Sequence, residues 1–180
     1  MCRRSEDTEK DVPCMLRPTL SLVRALPKIY FPGTKFEVGF TIFGAICLIA
    51  FRYAAVAFLE SYGWAANSTM TAMAAASVGS IVHSFILVPQ LGVLLMTQPF
   101  VPSARMNSAP QWWQESADSM LQLCTGYMFY DCLLSFVVDK WVPGVGLVYN
   151  DGDSMFVFHH IATVIYMTSA RIIGAGHQSA

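Results

Sequence analysis

The sequence predicts an all-α fold: a polytopic membrane helix bundle with about four transmembrane helices. Three observations lead there. The 180 residues are 54% hydrophobic and only 13% charged, about half the charged share of a soluble domain. No Lys, Arg, Asp or Glu stands between Glu60 and Arg105. Four apolar windows of roughly 20 residues or more follow a polar leader, and at ~1.5 Å per residue each is long enough for a hydrocarbon core of ~30 Å. This composition excludes disorder and an ordinary water-soluble fold. A formal net charge of −1 and a pI of 6.4 leave no basic surface for nucleic acid.

The leader, residues 1–35, is a basic N-terminal tail. It carries Arg3, Arg4, Lys10, Arg17, Arg24, Lys28 and Lys35, diluted by Glu6, Asp7, Glu9 and Asp11. No apolar stretch follows its charges closely enough for a secretory signal. The tail is expected to be solvated, with a short helix near 19–26. Contact with anionic lipid is the sharper alternative.

The windows are 36–59, 69–97, 119–138 and 154–174, and residues 36–180 form the expected transmembrane domain. The second contains Pro89, tolerable as a kink where neighbours satisfy the freed carbonyl. Its run of Ala72, Ala74, Ala75, Ala76, Ser77, Gly79 and Ser80 permits close helix packing. Gly63, Pro99, Pro102, Pro110, Pro143 and Gly144 punctuate the connectors, and Trp112 and Trp113 suit a membrane–water interface. The basic residues sit mostly before the first window, with Arg105 and Arg171 on the same side and Lys140 alone opposite. The positive-inside rule therefore places the N-terminus in the cytosol. The Asn67 sequon would face the lumen too close to the membrane edge for glycosylation, so it is read as chance. The five cysteines have no CxxC or CxxH spacing, so neither a disulfide framework nor a zinc site is expected, and no spacing supports metal ligation through His.

Ionisable residues within a span cost roughly 2.5–3.5 kcal/mol at mid-helix, so they mark function. Arg52 is expected to snorkel toward the lumenal interface. His83 is central in the second window, beside Ser80 and Ser84. Asp131 lies near the lumenal end of the third window, and His159 and His160 near the lumenal start of the fourth. Antiparallel neighbours would bring these three to one depth, within roughly 8–12 Å of that edge. A carboxylate there can orient an imidazole as a general base. The two histidines differ by about 100° around their helix, so one faces the cluster and the other packs elsewhere. Tyr127 and Thr163 extend the polar lining. A buried polar knot that only locks helix packing stands level with the functional reading.

Three segments resemble the TLC-domain family, which includes ceramide synthases and lipid-homeostasis proteins of the endoplasmic reticulum. Ser80-Ile81-Val82-His83 is similar to its Ser-x-x-His, and residues 126–131, GYMFYD, to its Gly-Tyr-x-x-Tyr-Asp. Residues 153–163, DSMFVFHHIAT, resemble the acidic residue and His-His-x-x-Thr of the ceramide synthase signature. The chain departs from the family after Thr163, lacks its later acidic pair, and has four windows where six or more helices are usual. It is therefore expected to be a partial, C-terminally truncated TLC domain.

The resemblance implies a multi-pass protein of membrane lipid homeostasis in the endoplasmic reticulum. Its intramembrane lipid cavity would be lined by His83, Tyr127 and Thr163, with Asp131, His159 and His160 at the polar end. The enzyme alternative is N-acylation of a sphingoid base by acyl-CoA, in which His159 or His160 would be base or nucleophile and Asp131 the orienting partner. A third alternative is a non-catalytic partner or chaperone of membrane proteins. Membrane lipids are the expected partners, and either a homo- or a hetero-oligomer is compatible. No cofactor is implied beyond acyl-CoA as a substrate.

Overall fold

The computed structural model describes residues 11–33, 36–66, 68–98, 109–134, 141–142, 146–147 and 153–173. Asn67, Arg105 and Lys140, used above for topology, lie outside the described residues. Among the described residues there are five helices: α1 (Arg17–Ala25), α2 (Gly39–Ser61), α3 (Thr69–Met96), α4 (Gln111–Leu133) and α5 (Asp153–Ile173). Two short strands, β1 (Trp141–Val142) and β2 (Gly146–Leu147), pair antiparallel between α4 and α5.

Helices α2 and α3 are long and apolar enough to cross a membrane. The buried core helix of a soluble protein would satisfy the same test, but only 17% and 22% of their apolar windows are buried. Their outward faces carry Ile46, Phe58, Met73, Phe85 and Val88 in the open. Apolar surface on this scale suits lipid rather than water.

Helix α4 packs against every other helix, which explains its different composition. Ser116, Ser119, Gln122 and Thr125 are all buried along it, and three of them return their hydroxyls to carbonyls one turn back. A helix enclosed by protein can bury polar groups that a lipid-facing one cannot, provided each finds a partner. It begins eight residues earlier than the third apolar window, because its first two turns are polar outside and packed inside.

Two glycines set the closest approaches. A Cβ on Gly126 would lie 2.6 Å from the Thr41 carbonyl oxygen, so α2 and α4 touch through backbone there. A Cβ on Gly79 would meet the Tyr130 hydroxyl at 3.1 Å, so Gly79 makes room for that ring against α3.

The leader differs from the solvated tail expected of it. Val12, Leu16 and Leu20 join Leu94, Trp112, Trp113, Ala117 and Met120 in one core cluster, and Val23 joins Phe40 and Leu123 in another. Leu16, Leu20 and Val23 recur at helical spacing, so α1 presents an apolar stripe to α4 and turns Arg17 and Arg24 outward. Trp112 and Trp113 are consequently core residues, not interface anchors, and the Trp113 indole donates to the Leu94 carbonyl at 3.1 Å. After α1, backbone bonds between Phe31 and Phe36 and between Val38 and Ile29 close a small loop that delivers the chain into α2.

Candidate functional site

Helices α4 and α5 run antiparallel in a register marked twice by charge. His160 Nε2 lies 2.8 Å from Asp131 Oδ2, with both side chains largely buried. Arg171 Nε donates to Asp118 Oδ1 at 2.7 Å and its Nη2 donates to Asp118 Oδ2 at 3.2 Å. Asp118 precedes Asp131 by 13 residues and Arg171 follows His160 by 11. One register therefore satisfies both pairs, about 16–20 Å apart along the bundle.

His160 is the inward member of the histidine pair and is 6% exposed. His159 points outward, its ring edge-on to His160 with centroids 5.4 Å apart. The 100° step between neighbouring helical residues produces this division. Thr163 returns its hydroxyl to the His159 carbonyl at 2.8 Å, so it caps its own helix turn and does not extend the cluster.

On the other side of α4, the His83 ring stacks on Tyr127 with centroids 4.2 Å apart and planes 12° from parallel. The Tyr127 hydroxyl lies within hydrogen-bonding reach of Ser80. Ser80 and His83 of α3 thus both meet Tyr127, and Asp131, one turn further along α4, meets His160 of α5. The three sequence segments singled out above form one connected strip across the bundle. Arg52 is turned inward beside Tyr130 and is 6% exposed, rather than snorkelling outward.

Sequence reasoning missed a second polar assembly at the end where α2 begins. Gln122 Oε1 accepts from the Phe40 and Thr41 amides, capping α2 in place of a local side chain. Its Nε2 donates to Asp118 at 2.8 Å, Asp118 holds Arg171, and Arg171 Nη2 donates to the Glu37 carbonyl. The guanidinium also lies 4.2 Å from the Phe36 ring centroid, a cation–π contact. Applying the Asp131–His160 spacing to the remaining charges on α4 and α5 would have revealed the Asp118–Arg171 pair.

Between α2, α4 and α5 lies a cavity of about 1080 Å³. Ile42, Ala45, Ile46 and Phe129 form its apolar walls, and Arg171 and Asp118 lie at its polar end. A second groove of about 620 Å³ runs beside α1, α2 and α3 and is bordered by His83 and Gln90. Asp131, His160, Tyr127 and Thr163 line neither of these two spaces. The dyad and the cavity are therefore separate features of this bundle.

No family model matches the chain, nor does any curated protein or solved structure.

Proposed function

We propose that this chain is a four-span membrane protein that holds the apolar part of a lipid between α2, α4 and α5. The TLC-type resemblance supplies the setting: membrane lipid homeostasis in the endoplasmic reticulum, with the N-terminus cytosolic. The cavity of about 1080 Å³ carries the proposal. It is at the upper end of ordinary small-molecule sites, apolar along its length and polar at one end, as an amphiphile requires. The continuity of the Ser80–His83, Tyr127–Asp131 and His160 strip supports the family reading.

Native mass spectrometry of the detergent-purified chain tests it. Ile42 and Ile46 are exposed residues on the cavity wall, so Ile42→Trp and Ile46→Trp fill the space without crowding the core. The expected result is a bound lipid lost in both variants. Unchanged occupancy, or no lipid in the parent, refutes the proposal.

The Asp131–His160 contact favours a second reading, acyl transfer from acyl-CoA to a lipid amine. A carboxylate 2.8 Å from an imidazole is the arrangement that orients a general base. Amide formation that vanishes in His160→Ala and persists in His159→Ala, with both variants shown by their unfolding midpoints to be folded under the assay conditions, supports catalysis. No product from the purified parent rules it out.

A further inference from the structure

The cavity between α2, α4 and α5 occupies only one end of the bundle. It is lined on the α2 side from Val38 to Ile46 and on α4 from Asp118 to Phe129. At ~1.5 Å per residue these stretches are about 12–17 Å long. A hydrocarbon core is ~30 Å thick, so the space has about the length of one leaflet. Helix α2 continues to Ser61 without lining it further.

The residues at the polar end place that end at a membrane surface. Lys28 and Glu37 pair there at 3.1 Å, and Arg171, held by Asp118, donates to the Glu37 carbonyl. Tyr30 and Phe31 line the same end and are exposed. Charge is costly at mid-bilayer, and aromatic rings collect at the headgroup level. The cavity therefore reaches from one surface to about mid-membrane.

It is also open at the side. Among the described residues, α2 and α5 each pack on α4, and contact between the two is slight. Ile42 and Ile46 on one edge and Ile172 on the other are exposed. Phe129 lies on the helix that every other helix touches, yet it lines the cavity and is 53% exposed. An apolar gap of this kind at membrane depth faces lipid.

Resting on the lipid-binding reading above, we infer that the cavity takes its lipid sideways, through the gap between α2 and α5, and only from the leaflet on the side where α2 begins. With the N-terminus in the cytosol this is the cytosolic leaflet.

A phosphatidylcholine with a diazirine near the end of one acyl chain tests this in vesicles that hold the full chain. The probe is exchanged into the outer leaflet alone. An N-terminal tag cleaved by protease from outside marks the molecules whose N-terminus faces the loaded leaflet. Thr125 and Phe129 line the cavity, so label on residues 125–129, located by mass spectrometry, reports a chain inside it. The expected result is label there in cleaved molecules, and its loss in uncleaved ones and in Ile46→Trp. Equal labelling of both orientations, or labelling of the uncleaved one alone, overturns the proposal. So does labelling that persists in Ile46→Trp, which would report lipid around the bundle rather than within it. If neither orientation is labelled but native mass spectrometry finds a bound lipid that Ile46→Trp displaces, the lipid-binding reading stands and the sideways route falls. If no lipid is found either, both fall.

Discussion

Replacing His160 by alanine should damage the fold far more than the same change at His159. His160 Nε2 and Asp131 Oδ2 are 2.8 Å apart, with side chains 8% and 13% exposed. Removing the ring leaves the Asp131 carboxylate in a largely buried position with one partner fewer. A hydrogen bond to a charged group is worth about 1.5–3 kcal/mol, and breaking a buried pair about 3–5 kcal/mol. Asp131 retains some exposure, so about 2–4 kcal/mol is expected for His160→Ala. His159 is exposed and its substitution should stay within about 0.5 kcal/mol. Asp131→Asn together with His160→Ala should cost less than the two single losses combined, because neither partner is then stranded. Reversible unfolding in detergent, followed by the fluorescence of the chain's four tryptophans, measures all four variants. Equal losses at His159 and His160, or strict additivity in the double variant, would refute the idea that this pair joins α5 to α4.

Gly126→Ala forces a Cβ to 2.6 Å from the Thr41 carbonyl, and overpacking of this kind costs about 1–3 kcal/mol. Gly92→Ala meets nothing within 4 Å and should stabilise α3 by about 0.5–1 kcal/mol, so the melting temperatures of the two variants should move in opposite directions. Leu20→Ala, at a residue 2% exposed, should cost about 2–5 kcal/mol; an unchanged unfolding midpoint would return α1 to the status of a tail. Gln122→Ala removes the acceptor of two α2 amides and should cost about 1–3 kcal/mol, with faster hydrogen exchange at Phe40 and Thr41 as the local signature.

Much of the fold was readable from local composition. Apolar windows 69–97 and 154–174 match α3 and α5 to within a residue at each end, because a long apolar run bounded by turn residues leaves the backbone no alternative to helix. Window 36–59 begins three residues before α2, where the loop around Gly33 still bonds to itself. The greater error was in α4, where polar residues 111–118 looked like a connector. Buried polarity reads as exposure when the enclosing neighbours are not known. The leader was misjudged for a related reason. The short helix expected near 19–26 is α1, but its burial was not expected, because its apolar stripe has meaning only against Leu94 and Trp113.

Within the site, the depth match of Asp131 with the His159–His160 pair was available from counting, since rise per residue is a constant of the helix. Counting also shows that only one of the two rings can face α4. It does not say which one, because that depends on how α5 is rotated about its own axis.

Sequence alone determined that the chain folds as helices, that α2 and α3 carry surface suited to lipid, and which scarce ionisable groups share a level. These are properties of a single segment: apolar content, periodicity and rise. Tertiary structure alone decided that His160 meets Asp131, that Arg171 closes onto Asp118, that α1 covers the core, and that Gln122 caps α2. Those facts depend on the rotation and spacing of helices far apart in the chain, set by close contacts such as Gly126 against Thr41, and no single segment encodes them.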